Sequence, residues 1–197
     1  MTNYAINDQH EKLVRSTLES VQTHEAKLKA IVRMLDDTAI AAARHCDALE
    51  SKGASAGPLH GLPIVVKDII DVGGVPTQPG SLTRSDEPPA HADAPVVAAL
   101  RGAGAIPVAK THTVEFAIGG WGTNETVGTP VNPWDLETHR VPGGSSSGTG
   151  VLVGGGLIPA GLGTDTGGSV RIPAAFCGCV GHKSSIGLVS RAGVADG

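Results

Sequence analysis

Leu13, Val14, Leu18 and Val21 recur at helical spacing in polar surroundings, which predicts an amphipathic helix near the start of the chain. A second helix is predicted over Asp36 to Lys52. Asp36 or Asp37 would be its N-cap, Gly53 its stop, and Ile40, Ala43 and Leu49 its inner face. Both read as scaffold, since an apolar stripe on a helix serves to cover a core. From Pro58 the texture changes. LPIVVKDIIDV, Leu62 to Val72, is an apolar run rich in β-branched residues and predicts a buried strand. Asp93 to Ala103 predicts a helix ended by Gly104, and IPVAKTH a second short strand. Trp121 to Arg140, with Pro130 and Pro133, predicts a long irregular stretch. A Gly/Ser-rich element, helix-like residues and the strand-like IPAGLGTD follow. Alternating strands and helices argue for an α/β sheet. The expected organisation is a helical region over residues 1–57 and an α/β core over 58–197, with no internal repeat.

Composition narrows the function classes. At 40% hydrophobic and 17% charged residues, with mean hydropathy +0.06, the chain is too apolar for a disordered segment. A net charge of −4 gives no basic surplus for nucleic acid. The longest apolar stretch, Val151 to Leu162, is broken by Gly154, Gly155 and Gly156 and falls short of the roughly 20 residues of a membrane span. The opening MTNYAINDQHEKLVRS lacks a signal peptide's basic start and apolar core. Three cysteines, Cys46, Cys177 and Cys179, suit a reduced compartment better than a disulfide scaffold. A soluble, cytoplasmic protein is expected, with no membrane partner.

Three places could carry chemistry. Lys67 sits in a run of Ile and Val, where burial would lower its pKa and make it a competent general base. The bland alternative is a surface lysine at a strand end, paired with Asp68 or Asp71. PGGSSSGTG, Pro142 to Gly150, can gather hydroxyls and backbone amides, although Gly/Ser runs more often serve as linkers. In GTDTGGSVRIPA, Gly163 to Ala174, a strand running into Asp165 and a Gly-Gly turn would present Ser169, with Asp165 and Arg171 pairing across the turn. An ordinary strand-to-turn connection with a solvated serine is the alternative there.

Residues 58–197 resemble the amidase signature family. The resemblance rests on GPLHGLPIVVKDIID, APVVAALRGAGAIPVAKT, NPWD…VPGGSSSG and GLGTDTGGSVRIPAAFCGCVG. It implies the amidase-signature fold, an α/β architecture with a mixed central sheet flanked by helices. Family members are more than twice this long, so only the N-terminal portion is expected here. A Ser–cisSer–Lys triad is implied, with Ser169 as nucleophile, Ser145 as bridge after a cis peptide bond, and Lys67 as base. Backbone N–H groups of Thr166, Gly167, Gly168 and Ser169 would bind the oxyanion. The implied reaction is hydrolysis of a small-molecule amide through an acyl-enzyme, releasing ammonia or an amine, with no metal or organic cofactor and room for a homo-oligomer. Ser147 departs from the family's usual GGSSGGS, which spares Ser145. Two alternatives stay within the family. One is the glutamine-hydrolysing A subunit of a tRNA-dependent amidotransferase, although GGWGTNETVG and NPWDLETHR look more like stand-alone amidases. The other is a truncated, inactive fragment.

Other classes have weaker support. GSSSG fits a nucleophile elbow with Ser146, Asp165 and His182, but no strand precedes it. GCVGHKS approaches a phosphate loop, yet His182 separates Gly181 from Lys183. The histidines show no metal-ligand spacing, and Cys177 and Cys179 read as small buried residues. Trp121 and Trp134 could wall a substrate pocket or simply pack.

Overall fold

The structure is a computed structural model and describes residues 8–195. The first seven residues of the opening stretch and the last two of the chain lie outside them. Nine elements alternate: α1 (Gln9–Leu28), β1 (Ile31–Met34), α2 (Asp36–Glu50), β2 (Pro63–Lys67), α3 (Pro95–Gly102), β3 (Ile106–Thr111), α4 (Ser147–Gly154), β4 (Ala160–Leu162) and α5 (Arg171–Cys177). The strands form one mixed sheet in the order β1-β3-β2-β4. β2 is parallel to both β3 and β4, whereas β1 runs antiparallel to β3.

The centre of the sheet is apolar because both its faces are covered. Every residue of β2 and β3 is buried. Val65, Ile106 and Val108 pack with Val14, Leu18 and Val21 of α1, Ala39 and Ala43 of α2, and Val151 and Leu152 of α4. Val66 packs with Ile69, Ile70, Val72 and Val97 of the second cluster. α4 lies so close to the sheet that a side chain on Gly148 would run into the carbonyl of Ala30 and the amide of His112. Only glycine allows that approach, and it brings the loop before α4 to the end of β2.

Two details differ from the sequence pattern. β1 is not predicted, and it ties the region of residues 1–57 into the sheet rather than leaving it helical throughout. Its four residues are too few to show a strand period. Asp36 and Asp37 occupy the first turn of α2 instead of capping it; the N-cap is Leu35, and Ala39, Ala43 and Cys46 make the buried face. Buried Asp47 has a separate task. Its carboxylate accepts from the amides of His10 and Glu11 at 2.9 and 3.0 Å, closing the otherwise unsatisfied N-terminus of α1.

No helix among the described residues is long and apolar enough to cross a membrane. Cys46, Cys177 and Cys179 are free thiols.

Candidate active site

β2 ends on Lys67, whose side chain is fully buried. Its Nζ donates to Ser145 Oγ at 2.6 Å and to Thr164 Oγ1 at 2.8 Å. Parallel strands characteristically present their ligands at their C-terminal ends, and this cluster lies at that end of β2. Ser145 comes from the buried loop before α4 and follows a cis peptide bond, Gly144–Ser145. Three backbone bonds fix that loop. Gly143 and Gly144 donate to the carbonyls of Trp121 and Gly120 at 3.0 and 2.8 Å, and Val114 donates to Ser145 O at 3.2 Å. Gly143 turns the chain at φ +78, a conformation that favours glycine. Thr164 and Asp165 follow β4, the strand beside β2, and the chain then turns through Thr166, Gly167 and Gly168 into Ser169. The Ser146 amide donates to Ser169 O at 3.1 Å, which anchors the Ser169 backbone beside the Ser145 loop.

Burial pulls the Lys67 pKa down from 10.5 to about 7, against the opposing attraction of Asp165. No carboxylate pairs with Lys67 among the described residues. Asp68 pairs instead with a second buried lysine, Lys110, at 2.9 Å. Lys110 also donates to Ile70 O at 2.8 Å and Thr77 Oγ1 at 3.2 Å. Asp71 accepts from Thr77 at 2.8 Å. The alternative of a surface lysine paired with Asp68 or Asp71 is therefore overturned. An alternating strand sends neighbouring residues to opposite faces.

The turn before Ser169 is organised around Asp165. Its carboxylate accepts from the amides of Gly168, Val170 and Arg171 at 2.8, 3.2 and 3.3 Å. It also forms a two-pronged pair with Arg171, Nε and Nη2 both at 2.9 Å. These donors hold its pKa well below the ordinary carboxylate range. The pairing expected from the sequence is thus present. The bond to Asp165 occupies the Gly168 amide, one of the four expected oxyanion donors. The amides of Thr166, Gly167 and Ser169 have no partner among the described residues.

Thr164 is the residue the sequence reading missed. Its only signal was a polar side chain at the end of the strand-like run IPAGLGTD, which becomes informative only once β4 is seen to pair with β2. The nucleophile-elbow arrangement is not assembled. Ser146 is buried and exchanges long bonds with the Thr164 backbone at 3.3 and 3.4 Å, Asp165 is engaged by Arg171, and His182 is exposed. Lys183, of the near-phosphate-loop segment, donates to the carbonyl of its neighbour Ser184.

The sequence profile of the Amidase family matches residues 12–197. The chain belongs to the amidase signature family. It is 44% identical over 181 residues to the A subunit of glutamyl-tRNA(Gln) amidotransferase from Maridesulfovibrio salexigens, an alignment covering 92% of this chain and 36% of that relative. Among solved structures, the native peptide amidase of Stenotrophomonas maltophilia superposes with TM-score 0.86 at 34% identity, covering 94% of this chain and 39% of that one. An inhibitor-bound chain from a vestigial complex, tied to the origins of an s-triazine catabolic enzyme, superposes with TM-score 0.91 at 35% identity, covering 95% and 40%. The chain therefore spans little more than a third of the length of the curated relatives it matches.

Proposed function

We propose that this chain carries the residues with which a carboxylic amide is hydrolysed through an acyl-enzyme. The observation behind the reading is the 2.6 Å contact between Ser145 and a buried lysine that has no carboxylate partner among the described residues. With a pKa of about 7, roughly half of Lys67 is neutral at pH 7; at an ordinary 10.5 only about one molecule in three thousand would be.

Neutral Lys67 takes the proton of Ser145 as Ser145 takes that of Ser169. Ser169 Oγ attacks the amide carbonyl. The oxyanion is met by the free amides of Thr166, Gly167 and Ser169, a donor of this kind being worth about 2.7–4 kcal/mol. As the C–N bond breaks, the proton returns through Ser145 to the leaving nitrogen, and ammonia or an amine departs. Water then cleaves the ester, giving the carboxylic acid and freeing the Ser169 hydroxyl.

A fluorophosphonate serine probe on the intact chain tests the assignment. Labelling is expected on the parent and on Ser146→Ala, and should vanish in Ser169→Ala. Retention in Ser169→Ala, or loss in Ser146→Ala with the fold intact, would transfer the nucleophile to another serine. Thr164 acts through Lys67. Thr164→Val should lower kcat about tenfold with KM nearly unchanged, since the substituted group holds the base and not the substrate. A KM effect of the same size would remove Thr164 from this role.

The relatives that are A subunits of glutamyl-tRNA(Gln) amidotransferases favour a second reading, in which the same residues release ammonia from glutamine for a partner protein. Ammonia release from glutamine, measured with and without such a partner, separates the two.

A further inference from the structure

Arg171 takes no part in the proton relay, yet it grips the residue next to a partner of the base. Thr164 Oγ1 accepts from Lys67 Nζ at 2.8 Å, and Asp165 follows Thr164 in the chain. The Asp165 side chain is only 1% exposed. Its carboxylate accepts from the amides of Gly168, Val170 and Arg171, and from Nε and Nη2 of Arg171. Three amides seat the turn on the carboxylate without help from a cation. Arg171 is moreover the first residue of α5, where the positive end of a helix disfavours a cation. Holding the turn therefore does not account for an arginine at this place.

What the guanidinium adds is charge. Asp165 is the anion whose attraction opposes the loss of a proton from Lys67. The other charged and titratable groups on the neighbouring elements are engaged elsewhere or neutral. Asp68 pairs with Lys110 of β3, Arg33 of β1 acts on that pair, and Asp71 accepts from Thr77. Burial keeps His112, just past β3, neutral. α4 carries no charged residue, and α5 adds only Arg171 and the Cys177 thiol, which burial keeps protonated. Two cations thus compete for one buried aspartate. Arginine stays charged throughout the working range of an enzyme, whereas lysine can yield its proton.

Resting on the amidase reading above, we propose that Arg171 is a positioning residue of the reaction that acts on Lys67 through Asp165, its guanidinium cancelling a buried negative charge that would otherwise favour the ammonium form of the base. The pair sets the lowest pH at which the relay runs. Without the arginine the carboxylate stays ionised, because three amide donors favour its charged form. Its uncancelled charge then raises the lysine pKa, and each unit of rise leaves about a tenth as much neutral amine at a pH below it.

The test follows the rate at which an uncharged alkyl fluorophosphonate labels Ser169 in the intact chain, from about pH 5 to about pH 10. The parent should reach half its plateau near pH 7. In Arg171→Met the midpoint should rise by about one unit or more, a loss of about tenfold at pH 6 beyond any loss at the plateau. Arg171→Lys keeps the charge without the two-pronged geometry and should restore the parent midpoint, whatever its plateau. Asp165→Asn leaves the arginine uncancelled and should move the midpoint below the parent's. A lesion of the turn alone would lower plateaus and leave every midpoint in place. A second measurement needs no labelling. In chains carrying 13C-lysine, the Cε resonance missing from Lys67→Met should titrate with the same midpoints. Should Arg171→Met not fold, the downward shift in Asp165→Asn carries the test. An unmoved midpoint in Arg171→Met, a midpoint in Arg171→Lys as high as in Arg171→Met, or one in Asp165→Asn at or above the parent's overturns the inference alone. A parent in which Ser169 is labelled at no pH overturns the amidase reading and this inference with it.

Discussion

Lys67→Met is expected to lose at least a thousandfold in amidase turnover while melting at a higher temperature than the parent at pH 7. The two effects share one cause. The drop of the lysine pKa from 10.5 to about 7 corresponds to roughly 5 kcal/mol, by which the unfolded chain, free to protonate its amine, is favoured at neutral pH. Methionine fills similar volume and removes that penalty. It also strips Ser145 and Thr164 of a hydrogen-bond partner, at about 1–3 kcal/mol each. Two such losses total about 2–6 kcal/mol, so the balance centres on a gain of about 1 kcal/mol, or a few degrees for a chain of this size. The pH dependence fixes the sign. Below about 7 both folded and unfolded parent are protonated at this site, and the penalty is fully present. Between about 7 and 10.5 the unfolded chain alone holds the proton, so the parent gains stability as pH rises. The advantage of Lys67→Met should shrink across this window and be gone by its upper end. Thermal melts at pH 7 and near pH 10 decide the matter. A variant less stable at both, by the same amount, would falsify the picture of a desolvated, nearly neutral amine.

The second large effect is expected at Asp165. Asp165→Asn should cost about 3 kcal/mol of stability and a hundredfold or more in kcat. The carboxylate accepts from three backbone amides and both prongs of Arg171, and hydrogen bonds to a charged group are worth about 1.5–3 kcal/mol each. The amide of asparagine keeps one acceptor and turns an N–H toward groups that are themselves donors. The turn carrying Thr166, Gly167 and Ser169 loses its template, so the loss belongs in kcat. The folded carboxylate titrates below its unfolded value. Its contribution is complete above about pH 4 and fades as the medium becomes more acid, so the asparagine variant should show a flatter acid-unfolding curve. Urea titrations at pH 7 and pH 3 measure both terms. Equal losses at the two pH values would mean that the charge contributes nothing.

Much of this was legible in residues alone, for identifiable reasons. Ile64, Val65 and Val66 announced a central strand because β-branched side chains without alternation suit a strand covered on both faces. The lysine at its end was conspicuous because that environment opposes charge. Asp165 and Arg171 were readable as a pair because a turn separates them by only a few positions. β1 was not readable, since its burial depends on α1 and α2 folding over it. Thr164 and the Asp68–Lys110 pair were not readable either. Each rests on which strands become neighbours, and strand order is a property of the whole sheet. Local pattern also misplaced the α2 cap: two consecutive aspartates look alike as candidates, but the first turn of a helix accommodates acidic residues as well as its cap does.

The sheet buries two amines one strand apart, Lys67 and Lys110, and among the described residues only the second has a carboxylate at ion-pair distance. On the function proposed above, one aspartate sorts two chemically identical side chains into a reagent and a rivet. The same logic defines a silent route to inactivation: a new acid seated beside Lys67 would hold its proton in place and quench the centre while leaving every serine untouched.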